Sequence, residues 1–436
     1  MTWLGGAKTH AARRSGIVTV LDVGSSKVCC IIAKLKPSED SGLLHGRTHK
    51  IQVIGIGHQK SQGVKSGVVV DLERAEASIR LAVDAAERVA GLTVDSLFVN
   101  LAAGRLRSDV FSATVNLGGH EADASDVARV LAAGTKRAMA AEREVVHALP
   151  VGFSLDAERG VRDPLGMVGE TLGVDMHVLT ADAAPARNLE LCVNRAHLSI
   201  ERMVATPYAS GLAALVEDEV EMGAACIDMG GGTTTVSVFS EGKFVHADSI
   251  PLGGAHVTMD LARGLSTRIE DAERLKVMHG SVLPGGADER DIVAYQPIGA
   301  EEGDVPVQIP RSVMSRIIRA RVEETLEVLR DRLNKSGHAA AVGKRVVLTG
   351  GASQLAGLPE AARRILGRNA RIGRPLGVAG LPEAAKGPAF SAAVGLLIYP
   401  QAASFENRSH ASFGLGRATG TGGRLARMGQ WLRDSF

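Results

Sequence analysis

One pattern occurs twice in the chain and constrains its fold more than any other feature. An apolar strand ends in an aspartate, a short loop of small residues follows, and a second β-branched strand returns. Residues 16–33 carry the first copy around Asp22, and residues 224–239 carry the second around Asp228. Loops of this length favour β-hairpins. Two such hairpins, about 200 residues apart, predict two related lobes.

Both loops contain the residue types that bind phosphate groups. Glycine permits a close approach of the backbone, while N–H groups, hydroxyls and a lysine supply donors and charge. A strand-end aspartate can hold a hydrated Mg²⁺ ion and orient an attacking water molecule. The first loop alone is typical of many hairpins, but the repeat of the whole pattern is specific. The candidates are Asp22, Gly24, Ser25, Ser26 and Lys27 in the first copy, and Asp228, Gly230, Gly231, Gly232 and Thr233 in the second.

Two later segments could complete a nucleotide site. In one, a strand leads into Gly350, Gly351 and Ala352, where a flat base could lie against the backbone. An ordinary strand–turn–helix is the alternative interpretation. In the other, Glu273 and Lys276 stand three residues apart in a helical stretch and could bond ribose hydroxyls. The alternative there is a solvated ion pair, worth roughly a few tenths of a kcal/mol.

The rest of the chain predicts helices and an inserted domain. Apolar residues recur at helical spacing over 72–90 and again over 313–333. Between them, residues 92–172 read as strand, helix and strand without phosphate loops, with Ser125 as the expected N-cap of that helix. We expect this stretch to form a small domain inserted in the first lobe.

The C-terminal residues predict a membrane-binding helix on a flexible linker. Residues 401–423 are rich in Gly, Ser, Ala and Arg. Residues 424–436 then place an apolar stripe opposite a basic face, which is typical of helices that lie in a membrane interface. A terminal helix docked on the protein's own core is the alternative. The stripe comprises Leu425, Met428, Trp431, Leu432 and Phe436, and the basic residues are Arg424, Arg427 and Arg433.

Composition argues against several other classes of protein. The formal net charge is only +2 and aromatic residues are 3%, so nucleic-acid binding is not expected. The chain has no run of 18 apolar residues for a transmembrane helix and no apolar core of a signal peptide at its start. Its four cysteines show no metal-ligand spacing. We therefore expect a cytosolic protein.

Three segments resemble the FtsA family of bacterial cell-division proteins, within the actin, sugar-kinase and chaperone superfamily. They are IDMGGGTTTVSVF (227–239), DAERLKVMHG (271–280) and VVLTGGASQLAGLPE (346–360). The resemblance implies an α/β, two-lobed actin-like ATPase fold with an inserted small IC-type domain and a C-terminal amphipathic helix. The implied divisions are lobe I at 16–91, 173–205 and 380–400; the IC domain at 92–172; lobe II at 206–254 and 311–379; subdomain IIB at 255–310; a linker at 401–423; and the membrane-targeting helix at 424–436.

The resemblance also implies roles for the candidate residues toward ATP and Mg²⁺. The first loop and the second loop would grip the phosphates from two sides, Glu273 and Lys276 would hold the ribose, and Gly350 to Ala352 would border the adenine. Mg²⁺ would sit beside Asp22 and Asp228, mostly through water. Thr206 stands where chaperones carry a glutamate that helps to place the water, which leaves Asp228 as the one catalytic candidate. We therefore expect at most a slow ATPase, with the nucleotide acting mainly as an assembly cofactor.

The function that the resemblance implies is a membrane tether for the FtsZ ring. Such a protein would bind anionic lipid on the cytoplasmic face of the inner membrane and polymerise there at the division site. It would bind the FtsZ C-terminal peptide through IIB, and neighbouring subunits and later division proteins through IC. The alternatives are a pilus-assembly ATPase, which would not be expected to end in this helix, and a sugar-kinase-like phosphotransferase, for which no sugar cleft or dedicated base is evident. A chaperone would need a long substrate-binding region after residue 400.

Overall fold

The computed structural model describes residues 16–37, 47–103, 105–137, 143–283, 290–301 and 304–402. The strands are β1 (Gly16–Val23), β2 (Lys27–Pro37), β3 (His49–Lys60), β4 (Val64–Lys65), β5 (Val68–Val69), β6 (Ser96–Leu101), β7 (Arg107–Asn116), β8 (Arg143–Leu155), β9 (Glu158–Val161), β10 (Thr171–Asp182), β11 (Ser199–Ala205), β12 (Ala224–Met229), β13 (Thr234–Ser240), β14 (Lys243–Ile250), β15 (Ile292–Tyr295), β16 (Val307–Pro310), β17 (Arg345–Thr349), β18 (Asn369–Ile372) and β19 (Val378–Ala379). The helices are α1 (Leu72–Ala90), α2 (Ala124–Arg137), α3 (Ala183–Arg195), α4 (Thr206–Ala214), α5 (Glu217–Met222), α6 (Gly254–Gly264), α7 (Ile269–His279), α8 (Arg311–Lys335), α9 (Leu358–Leu366) and α10 (Ser391–Ala402), with 3₁₀ turns at Gly351–Gln354, Glu383–Ala385 and Pro388–Phe390.

Two sheets share one topology, as the repeated sequence pattern predicts. In the first sheet β1 pairs antiparallel with β2 and parallel with β6, β3 flanks β2, and β11 flanks β6. In the second, β12 pairs antiparallel with β13 and parallel with β17, and β14 and β18 flank them in the same way. Strand β19 adds only to the edge of the first sheet. Both predicted hairpins are thus confirmed, and each occupies the centre of its sheet.

Two helices cross between the lobes. Helix α4 follows β11 of the first sheet, and α10 comes after the last strands and returns to pack on α4. The backbones touch directly, since a Cβ atom added to Gly395 would lie 1.8 Å from the carbonyl oxygen of Ala209. Only glycine therefore fits at this crossing, which holds α10 tightly against α4.

The inserted domain is a four-stranded sheet in the order β7-β10-β8-β9, covered by α2. Its strands span Arg107–Asp182, whereas the inserted domain predicted from the sequence covers 92–172. That range takes in β6, which belongs to the first sheet, and omits most of β10, which lies between β7 and β8. Alternation of side chains marks strands but does not say which sheet each strand joins.

Helix predictions agree closely with the structure except at one cap. Helix α1 spans the predicted residues 72–90, and α8 extends the predicted 313–333 by two residues at each end. The N-cap prediction for α2 is wrong, because the carboxylate of Asp123 accepts the N–H groups of Ser125 (2.8 Å) and Asp126 (2.9 Å). Asp123 and Ser125 are both good capping residues, and the helix begins at Ala124, directly after the aspartate.

None of the described helices combines the length and the apolar character needed to span a membrane.

Candidate functional site

The first hairpin presents Asp22 and a tight turn at the centre of its sheet. Asp22 lies near the end of β1 and is 6% exposed. The turn closes where the N–H of Gly24 donates to the carbonyl of Lys27 at 3.0 Å. The Oγ of Ser25 accepts the N–H of Gly67 at 2.9 Å, which fixes the serine against the segment after β4.

The second hairpin presents Asp228 in the equivalent place. The N–H of Gly230 donates to the carbonyl of Thr233 at 2.9 Å, so this turn closes as the first one does. The parallel pairing of β12 with β17 puts Thr349 opposite Asp228 and brings Gly350 beside the carboxylate. Gly350 has φ +85°, and a Cβ atom there would lie 2.2 Å from Oδ1 of Asp228. Both its left-handed backbone and this contact require glycine.

The tips of the two hairpins face each other. A Cβ atom on Gly231 would lie 3.0 Å from Cβ of Ser26, and one on Gly232 would lie 2.5 Å from Oγ of Ser25. Two glycines of one loop thus meet two serines of the other, and the two aspartates flank this junction. The structure brings together the two loops that the sequence pairs only by similarity.

The environment of Asp228 is buried and shaped by one hydroxyl. Ser210 of α4 donates its hydroxyl to Oδ2 of Asp228, and Ser210 is itself fully buried. Burial and, to a smaller extent, the nearby negative charge of Asp22 raise the pKa of Asp228, the Ser210 bond and Lys27 oppose the rise, and the resulting pKa is about 6. A carboxylate with this pKa is ionised at neutral pH and can accept hydrogen bonds from metal-bound water.

Lys27 bridges the first hairpin to a later segment. Its Nζ lies 3.3 Å from Oδ2 of Asp22, donates to the carbonyl of Ala389 at 2.5 Å, and sits 4.5 Å from the ring centroid of Phe390. A Cβ atom on Gly351 would lie 3.7 Å from Cβ of Ala389. The lysine therefore lies between the first loop and the glycine pair expected to face the base.

Glu273 and Lys276 form the predicted ion pair, but it is not simply solvated. Lys276 Nζ lies 2.7 Å from Glu273 Oε2, and it also donates to the carbonyl of Gly254 (3.1 Å) and to Thr258 Oγ1 (2.9 Å). The lysine side chain is 13% exposed and that of the glutamate 50%. Helix α6 thus holds the lysine, while half of the glutamate surface stays open to a ligand.

Gly254 is where the remaining parts of the site meet. Its N–H donates to the carbonyl of Gly230 at 2.9 Å, and a Cβ atom on it would lie 3.0 Å from Cβ of Ala352. The ion-pair helix, the second loop and the turn at Gly351–Gln354 therefore converge on the first residue of α6. All fifteen candidate residues, which come from the two hairpins, α7 and the segment 350–352, belong to this one contiguous region.

Comparison with known proteins explains the arrangement. A family model described as "Cell division protein FtsA" matches residues 225–395, and one described as "SHS2 domain inserted in FTSA" matches residues 103–180. A cell division protein FtsA of Rhizobium meliloti (strain 1021) is 66% identical over 429 residues, covering 98% of this chain and 97% of that protein. The chain belongs to the FtsA family. It is accordingly an actin-like cell-division protein, as its resemblance to that family predicts.

Solved structures of low sequence identity share the FtsA-family fold seen here. The PilM-PilN type IV pilus biogenesis complex has a TM-score of 0.60 at 16% identity, covering 88% of this chain and 98% of that one. MreB5 of Spiroplasma citri, in a structure bound to ADP, has a TM-score of 0.52 at 12% identity, covering 93% of this chain and 100% of that one. The two-lobed actin-like fold with its inserted domain is confirmed.

Sequence reasoning missed several residues that support the site. Asn100 at the end of β6 accepts the N–H of Val23 at 2.7 Å and donates to Thr206 Oγ1 at 3.2 Å. Ser210 and Gly254 were not singled out either. The glycine pair 253–254 at the start of α6 was a usable signal, since it repeats the small-residue chemistry of the loops. Nothing local marks Asn100 or Ser210, because their partners are distant in the sequence.

Two further expectations concern metal and membrane. Among the described residues, no group of three or more His, Cys, Asp or Glu side chains could hold a metal ion. The first two residues of the predicted linker 401–423 form the end of α10, so that part of the linker prediction is wrong. The rest of the linker and every predicted membrane residue of 424–436 lie outside the described residues. Those residues are Arg424, Leu425, Arg427, Met428, Trp431, Leu432, Arg433 and Phe436.

Proposed function

We propose that the protein binds ATP with Mg²⁺ between its two hairpins and uses the bound nucleotide to control assembly on the cytoplasmic membrane. The observation that supports this most directly is the junction of Gly231 and Gly232 with Ser25 and Ser26, flanked by Asp22 and by an Asp228 that touches Gly350. Paired loops of this kind offer backbone donors and hydroxyls from two sides to one chain of phosphates.

Each part of the site would then have one task. The loop N–H groups and Lys27 would bind the phosphates. Asp22 and Asp228 would hold Mg²⁺ through its water shell, and the ion would neutralise part of the phosphate charge. The half-exposed side chain of Glu273 and the mostly covered side chain of Lys276 fit ribose hydroxyls. Gly350 to Ala352 border the base, where the absence of side chains leaves room for a flat ring.

Hydrolysis by this site is slow in our proposal. Asp228 is the one candidate base, and its Oδ2 already accepts the Ser210 hydroxyl. Two other polar side chains near the connection between the lobes are also engaged, since Asn100 donates to Thr206 Oγ1 and accepts the N–H of Val23 in the first hairpin. A turnover number well above that of typical cytoskeletal ATPases, in a steady-state phosphate-release assay, would contradict this part of the proposal.

Membrane tethering rests on the C-terminal helix. Burying about five apolar side chains gives a gross free energy of roughly 5–8 kcal/mol, before the cost of ordering the helix. One such helix binds weakly, but many on one filament bind firmly because avidity multiplies their effect. ATP-dependent head-to-tail assembly would therefore turn weak single contacts into stable attachment at the division site.

Contacts with the FtsZ C-terminal peptide and with other division proteins use the two small domains in our proposal. In the region 255–310, Val277 and Met278 of α7 are 73% and 67% exposed, and Ile298 is 67% exposed. Val110 and Val168 of the inserted domain are 50% and 61% exposed. Val277 and Met278 are neighbours on α7, and adjacent exposed apolar side chains favour protein contacts, which supports IIB as the FtsZ site. We assign subunits and later division proteins to IC, where Val110 and Val168 are exposed.

The first test is co-sedimentation with liposomes that contain anionic lipid. The full chain, a 1–423 truncation and full-length Asp228→Asn are each spun with Mg-ATP and without nucleotide. We expect only chains with the tail to pellet, the wild type better with Mg-ATP, and Asp228→Asn without that gain. Equal pelleting of the truncation would contradict the tail as anchor, and no pelleting under any condition would contradict the membrane role.

The peptide site is tested separately by fluorescence anisotropy with a labelled FtsZ C-terminal peptide. Val277→Ser and Met278→Ser should weaken binding. Leu81→Ser is the matched control, because Leu81 is 55% exposed but lies on α1, which packs on the first sheet and not on α7. If all three variants bind the peptide like the wild type, α7 is not the docking surface.

A further inference from the structure

One face of helix α4 contacts the second hairpin directly and the first hairpin through Asn100 of β6. Thr206 and Ser210 are four residues apart and so lie on the same side of the helix. Ser210 donates to Asp228 of the second hairpin. Thr206 accepts from Asn100, which in turn accepts the N–H of Val23 in the first hairpin. This face of α4 is therefore connected to the strand ends on both sides of the site.

The opposite face of α4 contacts the base of the inserted domain. Tyr208 is two residues from Ser210, about 200° around the helix. Its ring lies 5.0 Å from that of His147 on β8 and stacks at 4.6 Å on Phe244 of β14. Phe244 in turn contacts His177 of β10, with ring centroids 4.9 Å apart. Tyr208 thus joins two strands of the inserted sheet to the edge of the second sheet.

The helix has little freedom to absorb a displacement. Every residue of α4 except Leu212 is buried. A Cβ atom on Gly211 would lie 2.3 Å from the ring of Phe239, and Gly395 touches the backbone of Ala209 on the other side. Close packing on both flanks means that a shift at one end of this nine-residue helix moves the whole helix.

We propose that Ser210 is a positioning residue of the nucleotide site, and that α4 transmits a change at Asp228 from Ser210 through Tyr208 to the base of the inserted domain. The proposal rests on the proposed function, since it takes the ligand at Asp228 to be Mg-ATP. Ser210 holds the Asp228 side chain in one orientation by donating to Oδ2, which leaves Oδ1 toward Gly350. A ligand that moves Asp228 also moves Ser210, and the buried helix carries that movement to Tyr208.

The first half of the test is Mg-ATP affinity of the full-length chain, measured by calorimetry. Ser210→Ala should weaken binding about tenfold, because a hydrogen bond to a charged group is lost. Ser78→Ala is the matched control and should stay within about twofold, because Ser78 is a buried serine of α1 whose hydroxyl accepts the N–H of Gln62 and donates to the carbonyl of Arg74, neither of which is a candidate residue. Ser210→Thr separates a role of the hydroxyl from a role of packing alone, since threonine keeps the hydroxyl but adds a methyl group to a fully buried position.

The order of the two Ser210 variants decides the outcome. If positioning by the hydroxyl is correct, Thr binds Mg-ATP more tightly than Ala. If Ser210 matters only for packing, the smaller Ala is tolerated and Thr is worse, which would overturn the proposal, as would Ala with unchanged affinity. Should Thr fail to fold by circular dichroism, Ser210→Cys, which keeps a weak donor of similar size, takes its place. A wild type that binds no Mg-ATP would instead refute the proposed function, and this inference with it.

The second half measures hydrogen exchange in strands β7 and β10 with and without saturating Mg-ATP. In the wild type and in Tyr208→Phe, which keeps the ring, we expect Mg-ATP to change exchange there. In Tyr208→Leu the change should be lost, while Mg-ATP affinity stays within about twofold. A Tyr208→Leu protein that responds like the wild type, or a wild type that binds Mg-ATP without any change in these strands, would overturn the coupling.

Discussion

Acidification should destabilise the folded protein through His177. The ring lies fully buried between the inserted domain and β14. Its Nδ1 donates to the carbonyl of Phe244 at 3.0 Å, and its Nε2 accepts the hydroxyl of Ser108 at 2.6 Å. Ser108 Oγ also accepts the N–H of Ala247 at 3.3 Å. A protonated ring has no acceptor, so this chain of bonds between the two domains requires neutral His177.

The size of the effect follows from the pKa of the folded state. Burial lowers the pKa of His177 from 6.5 to about 3, and the neighbouring His246, His147 and His338 oppose its charge as well, while the bond to Phe244 works the other way. The unfolded chain therefore takes up a proton near pH 6.5, where the folded chain does not. Stability falls as the pH drops below 6.5, and the loss from this group between pH 8 and pH 5 is about 2 kcal/mol.

The measurement is the free energy of unfolding in urea at pH 8 and at pH 5. His177→Asn keeps a donor toward Phe244 but cannot titrate, so its loss of stability on acidification should be about 2 kcal/mol smaller than that of the wild type. His197→Asn is the matched control, because His197 is exposed and has φ +62°, which asparagine tolerates. Equal m-values are required for the comparison. If His177→Asn shows the same pH difference as the wild type, the reasoning is refuted.

Two glycine substitutions test close contacts described above. Gly350→Ala places a methyl group 2.2 Å from Asp228 and should weaken Mg-ATP binding more than tenfold. The left-handed backbone alone costs an alanine roughly 1–2 kcal/mol, and the clash with Asp228 adds to that cost. Gly367→Ala is the control, because Gly367 has the same kind of backbone (φ +63°) with nothing within 4 Å, so affinity should be unchanged in the same titration. Gly395→Ala forces α10 away from Ala209 and should lower stability by about 1–3 kcal/mol, seen as a lower thermal midpoint; an unchanged midpoint would mean that the crossing is not tightly packed.

The sequence predicts those parts of the molecule whose signals are local. The hairpins around Asp22 and Asp228 and the helix over 72–90 follow from strand, turn and helix periodicity within short windows. Partners across long separations are different. The contact of Gly350 with Asp228 depends on the parallel pairing of β12 with β17, which periodicity does not specify.

The same limit explains the residues that were missed around the site. Ser210 looks like any small residue of a buried helix, and only the fold brings its hydroxyl to Asp228. The family resemblance supplied the assignment of Glu273 and Lys276, for which the residues alone favour a solvated pair. The structure adds that Thr258 and Gly254 of α6 hold the lysine, and a pattern within α7 could not have indicated that contact.

The end of α10 determines where mechanical load enters the protein. Gln401 is 5% exposed, and its side-chain carbonyl accepts the N–H groups of Thr48 (3.0 Å) and His49 (3.1 Å) at the start of β3. The helix packs on β1, β2 and β6 as well as α4. A pull on the residues after 402 would therefore act on the first sheet and on α4 together, and the close packing of α4 would carry part of it to Tyr208 at the base of the inserted domain.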